Sequence, residues 1–254
     1  MIHRLLAIFV CFSALAANTF IGRINPVIVE IPTAGLVGWW QFNEGVGNLV
    51  ADSSGNGNQG TLQGAATWAT PRKTGSGAVD FLSANANSGS ATNYVDCGYS
   101  STLAVTTGTL LAWINPASVG TYQVIAGKED WNSDLYGYVM VLNFTQGQLF
   151  TELADGVGPQ RTTPAVAASV STFAWTHVAM RWDGSKLNAF INGIKDTSNT
   201  TQTKVPTYTV NWRFLIGRGD NYLSQGFGGK MSDVRMYNRA LTDTEIQNIY
   251  TLTQ

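Results

Sequence analysis

The chain has 254 residues, a formal net charge of −1 and only 12% charged residues, against roughly a quarter in an average globular domain. That balance excludes a disordered chain, which would be charge-rich and aromatic-poor; eleven Phe, nine Tyr and eight Trp supply large surfaces to bury. No basic excess exists to release phosphate counterions, so the composition gives no support to a nucleic-acid partner. Few Lys, Glu and Leu beside many Gly, Thr, Trp and Val point to an all-β protein.

Residues 1–16 have the layout of a signal peptide. Arg4 precedes an apolar run from Leu5 to about Ala17, and Ala14-Leu15-Ala16 offers a small-x-small cleavage site before Ala17. The run is too short for a bilayer span, which takes about 20 helical residues. The expectation is a secreted, extracellular protein with no membrane span. Removing the leader leaves one cysteine, Cys97, and one histidine, His177. An internal disulfide is then impossible, and the core alone, or the core with a metal, must stabilise the fold. Residues 17–34, with Pro26 and Pro32, read as a linker or a wrapping edge segment, and 35–254 as a single domain.

From Gly35 onward short β-rich runs alternate with Gly, Asn, Asp and Ser. Strands are expected over 36–42, 79–82, 94–97, 109–114, 123–126, 136–143, 148–153, 175–182, 186–192, 212–216 and 230–237. Asp183-Gly184 and Asn192-Gly193 suit tight hairpin turns, so the strands around them form a meander. On its first strand Val178, Met180 and Trp182 share one face, and His177, Ala179 and Arg181 the other. The absence of a βαβ rhythm means a sandwich, jelly roll or barrel. One helix is signalled: Thr242 and Glu245 form a T-x-x-E capping box, followed by Ile246, Ile249 and Tyr250 at helical spacing.

Four segments together resemble the laminin-G-like, concanavalin A-like lectin/glucanase family. They are the opening strand Gly35 to Gly45, the loop Asp52-Ser53-Ser54-Gly55-Asn56-Gly57-Asn58, the W-x-H-V-A strand from Trp175 with its two turns, and the closing segment Gly229 to Thr242. The resemblance runs from about Gly35 to Leu252. It implies an all-β, two-sheet antiparallel jelly-roll sandwich with one short C-terminal helix. The same sandwich hosts lectins, adhesion modules and glycanases, so no single function follows.

The resemblance also implies a structural Ca²⁺ at the rim, held by Asp52 and the Asp233 region. Asn56 can add an oxygen, since Ca²⁺ prefers hard oxygen ligands. The alternative is that Asp52 and Asn56 cap turns through backbone amides. A ligand surface is expected on two loops, around Asp130, Trp131 and Asn132 and around Asp220, Asn221 and Tyr222. There an aromatic face for a sugar ring sits among planar polar groups; two solvated turns are the other reading. Arg218-Gly219-Asp220 spells an integrin-type tripeptide with no supporting flanks. Asn143 and Asn199 head N-glycosylation sequons. His177 and Cys97 read as structural residues.

Catalysis finds little support. The glutamates are Glu30, Glu44, Glu129, Glu152 and Glu245, and none begins an E-x-D-x-x-E strand. Glu152 and Asp155, at i, i+3, fall on opposite faces of a strand, and no G-x-S-x-G elbow is present. Three functions remain open: a non-catalytic carbohydrate-binding or surface-adhesion module acting on a glycan or an extracellular surface protein; a structural subunit of a filament, surface layer or virion; and a glycan-active enzyme with displaced carboxylates. In the second, residues 18–34 could pair with a neighbour and build a homo-oligomer.

Overall fold

Short apolar runs punctuated by turn residues can bury their side chains only by pairing into sheets. A computed structural model describes residues 29–70, 77–86, 91–130, 136–142, 147–161, 170–196, 200–208, 212–219 and 225–254, with Asp130 as backbone only. The leader-like residues and both sequon asparagines lie outside the described residues. In chain order the first strands are β1 (Leu36–Trp40), β2 (Leu49–Val50), β3 (Gly60–Gln63), β4 (Thr67–Ala69), β5 (Ala78–Asp80), β6 (Tyr94–Asp96), β7 (Gly108–Pro116), β8 (Gln123–Asp130) and β9 (Tyr136–Leu142). Then come β10 (Leu149–Asp155), β11 (Pro159–Arg161), β12 (Thr176–Trp182), β13 (Lys186–Ile191), β14 (Ile194–Lys195), β15 (Thr200–Thr201), β16 (Phe214–Ile216), β17 (Gly229–Tyr237) and helix α1 (Asp243–Thr253).

The strands form two antiparallel sheets. One runs β14-β13-β12-β7-β17-β5-β4, with β1 also on β17 and β15 on β13; the other runs β11-β10-β9-β8-β16-β6-β3-β2. Inward residues of both make one core. Leu110, Ala112 and Ile114 of β7 and Val178, Met180 and Trp182 of β12 meet Tyr138, Met140 and Leu142 of β9, the arrangement of stacked sheets. Trp40 stacks on Phe214 with ring centroids 5.0 Å apart. This is the expected jelly-roll sandwich.

The outer face of β7 and β12 is buried too, beneath α1. Leu111, Ala179, Phe190 and Tyr237 pack with Leu241, Ile246 and Ile249. The capping box forms as the sequence predicts: Thr242 Oγ1 accepts from Glu245 N–H at 3.1 Å, and Glu245 Oε2 accepts from Thr242 N–H at 2.7 Å. Arg181 fixes the helix start, donating to Leu241 O at 2.9 Å and to Asp243 Oδ1 at 2.6 Å. Residues 29–34 make no strand. They lie against β17 and the turn after it, where Pro32 O accepts from Tyr237 OH at 2.9 Å and Ala34 O from Arg239 Nε at 2.8 Å.

Both hairpin turns also form. Asn192 and Gly193 take φ of 51° and 75°, the positive pair that an Asn-Gly turn provides. A stretch outside the expected strands closes the open edge of the sandwich. Thr200–Thr201 pairs with β13, while Gln160 Oε1 accepts from Thr203 and Lys204 N–H at 2.7 and 3.0 Å and Lys204 Nζ reaches both Asp155 oxygens at 3.0 Å. Residues 200–204 thus strap one sheet to the other.

Candidate functional site

At one end of the sandwich three connections converge on a cleft of about 520 Å³, within the range of small-molecule sites. Its floor is set by strand register. Asp80 of β5 lies opposite Lys230 of β17, and Lys230 opposite Asn115 of β7. Their neighbours Val79, Met231 and Ile114 are fully buried in the core, so alternation turns Asp80, Lys230 and Asn115 outward. Gly229, at φ +135°, lies so close to Asn115 O and Ala117 N that a Cβ would collide with both. The backbone therefore comes together there without a side chain filling the cleft.

The walls carry apolar groups in unusual conformations. Phe173 is 76% exposed at φ 57°, its N–H bonded to Pro116 O at 2.8 Å. Leu82, at φ 63°, donates its N–H to Asp80 Oδ1 at 2.8 Å. Non-glycine residues at positive φ store strain, which persists where surroundings hold them and which clusters at binding sites. Those surroundings include a buried amide pair. Asn85 Nδ2 donates to Asn93 O and Phe227 O at 2.9 and 3.0 Å, and Asn93 Nδ2 to Phe81 O at 3.0 Å. Phe173 thus presents an aromatic face beside a carboxylate, an amide and an ammonium. None of these residues was singled out by the sequence, because only strand register brings them together.

Asp52 and Asp233 both bond Trp39, one at its backbone N–H and the other at its indole Nε1. Asp52 Oδ1 accepts from Trp39 N–H and Ser54 N–H, both at 2.9 Å, and Oδ2 from Ser54 Oγ and Asn58 N–H, both at 2.8 Å. Asp233, at φ 51° in a bulge of β17, accepts from Trp39 Nε1 at 2.7 Å and from Arg235 Nε and Nη2 at 2.8 and 3.0 Å. Asn56 Nδ2 donates to Leu36 O at 3.1 Å. A cation here would meet N–H donors and the Arg235 guanidinium, so the arranged donor set does not fit Ca²⁺. Among the described residues no group of three or more His, Cys, Asp or Glu is placed to hold a metal.

The described residues that flank the two expected ligand loops lie at opposite ends of β8. Asp130 is not a loop residue: the β8–β9 ladder continues to it, and it pairs with Tyr136. Lys128, two residues earlier, is fully buried with Nζ donating to Trp212 O, and Glu129 is 5% exposed. Gly217 and Gln225, which flank residues 220–224, sit near the other end of β8, where Gly217 N–H bonds Ile125 O and Val124 N–H bonds Gln225 O, about 20 Å from Asp130 at strand rise. Trp131, Asn132, Asp220, Asn221 and Tyr222 themselves lie outside the described residues. Arg218, the first residue of the tripeptide, is held 3.9 Å over the Tyr94 ring and donates to Ala91 O at 3.1 Å.

The remaining candidates are tied into the fold by burial or by partners. His177 is 1% exposed, between Trp113 and Tyr250 at 5.3 and 5.9 Å. Burial, then the negative charges of Asp96 and Asp52, push the Cys97 thiol well up, away from thiolate reactivity. Glu152 and Asp155 separate as expected, one bonded to Arg161 and the other to Lys204.

The fold has many solved relatives. Domain 4 of AbnA, a GH43 extracellular arabinanase from Geobacillus stearothermophilus, in complex with arabinotriose, superposes with a TM-score of 0.65 at 17% identity, covering 85% of this chain and 98% of that one. The binding domain of Paraclostridial Mosquitocidal Protein 1 gives 0.63 at 16% identity, over 86% of this chain and 52% of that one. Trypanosoma rangeli sialidase with sialic acid gives 0.62 at 16% identity, over 87% and 33%; the chain thus spans about a third of that enzyme. No curated protein sequence matches significantly. The Laminin_G_3 model matches residues 87–247, and the chain belongs to the concanavalin A-like lectin/glucanases superfamily.

Proposed function

We propose that the chain is an exported, non-catalytic carbohydrate-binding module and that its ligand occupies the cleft between Phe173 and the Asp80–Lys230 row. The observation that carries this is the exposed aromatic face of Phe173 beside convergent polar groups. A sugar ring offers one apolar side to stack and hydroxyls to bond. The arabinotriose complex of a domain with this fold is in keeping with it. Export rests on the leader-like residues 1–16 alone.

The non-catalytic part rests on the carboxylates. Glycoside hydrolysis takes two, flanking the scissile bond within roughly 10 Å of each other. Among the described residues Asp80 is the one carboxylate lining the cleft. The pair Glu129 and Glu152, which share the outer face of the other sheet, are 5% and 2% exposed. A sugar could not reach them without displacing what covers them.

Calorimetric titration with a panel of soluble oligosaccharides tests the reading. At least one should bind, and Phe173→Ala should weaken it about tenfold while leaving the melting temperature nearly unchanged, since the ring is exposed. Binding untouched by that substitution removes the cleft as the site, and release of reducing sugar from any of the panel overturns the non-catalytic reading.

A further inference from the structure

Opposite charges that face each other across antiparallel strands attract and are within reach of an ion pair. Asp80 and Lys230 are in register on adjacent strands, about 4.8 Å apart in the pairing direction. Yet they make no ion pair within 4.0 Å. The reason is local: Asp80 Oδ1 is held by the N–H of Leu82, whose backbone is at positive φ. Among the described residues Lys230 Nζ has no hydrogen-bond partner and Asp80 Oδ2 has none either. Both residues are half-buried in the cleft, with Asn115 next in the row.

We infer that this held-open pair is a charge filter which admits an uncharged sugar and rejects acidic and basic ones. A hydroxyl group can donate to Asp80 Oδ2 and accept from Lys230 Nζ at once, so a neutral ring with adjacent hydroxyls satisfies both heads. A uronate or sialate that reached Lys230 would bring its carboxylate against Asp80. An amino sugar that reached Asp80 would meet the ammonium. In a half-buried cleft like charges oppose each other more strongly than in water. The inference rests on the glycan-binding reading of the same cleft and adds the class of glycan.

The test compares neutral hexamers (of glucose, xylose and arabinose) with hexagalacturonate and a chitosan hexamer, on the full chain and two variants. Asp80→Asn keeps an Oδ1 acceptor for Leu82 N–H, so the wall stays built; Lys230→Met keeps the apolar stem. At least one neutral hexamer should bind the unaltered chain with an affinity insensitive to salt, and each variant should weaken it about tenfold. Asp80→Asn should also admit hexagalacturonate, and Lys230→Met the chitosan hexamer. Tighter binding of hexagalacturonate to the unaltered chain overturns the filter and leaves a glycan site. Neutral binding that neither variant weakens overturns it as well, and failure of every hexamer to bind removes the glycan-binding reading with it.

Discussion

Glu152 shows how far a residue's behaviour departs from its type once a sheet buries it. Its carboxyl is 2% exposed on β10 and accepts from Arg161, whose side chain is 43% exposed. Burial raises its pKa from 4.5 to about 7, against the opposing pull of Arg161. The fold therefore holds that proton more tightly than the unfolded chain does. The resulting stability is full below about pH 4.5 and is lost as pH rises through 7. Glu152→Gln, which keeps an acceptor for Arg161 and cannot ionise, should match the parent at pH 4.5. At pH 8 it should exceed it by on the order of 2 kcal/mol, about 5 °C in Tm. A lower Tm at pH 8 would mean that the ion pair outweighs the burial. The sequence placed Glu152 and Asp155 on opposite faces correctly; it could not show which carboxylate is buried, because that depends on the layers around β10.

At the scale of elements, legibility followed locality. The capping box, the Asn-Gly turn and the β12–β13 alternation are written in adjacent residues, and each forms where expected. Strands β2, β3, β4, β11 and β15 run two to four residues, too short for alternation to register. The extension of β8 through Lys128, Glu129 and Asp130 was unreadable for a related reason. Three charged residues in a row look like a solvated loop, yet the ladder with β9 continues through them. Helix α1 offers a direct check. Thr242→Ala removes the side-chain acceptor for Glu245 N–H, a loss of about 1 kcal/mol. Because Ile246 and Ile249 anchor the helix to the sheet, that should lower Tm by about 3 °C, with little change in far-ultraviolet circular dichroism. A larger collapse would show that α1 depends on its cap more than on its packing.

For the molecule as a whole, two sheets that share one core still have edges to be tied. The described residues show two ties, the 200–204 strap at one edge and the Trp39 knot where β1 joins β17. The resemblance implied an ion between Asp52 and the Asp233 region; in the structure both carboxylates bond Trp39, and their roles were not legible in the sequence. Whether a carboxylate faces a cation or N–H donors is decided by a bulge at Asp233 and by Arg235, which lies 4.5 Å over the Trp39 ring. With Asp52 already accepting four hydrogen bonds and Asp233 three, Ca²⁺ would have to displace donors that the fold needs. Melts in excess EDTA and in millimolar calcium should therefore coincide. Asp52→Ala, which strands the N–H groups of Trp39, Ser54 and Asn58, should lower Tm in both by about 5 °C. A reversible rise with calcium that Asp52→Ala abolishes would reverse the assignment, turning the knot into a coordination site that rearranges around the ion.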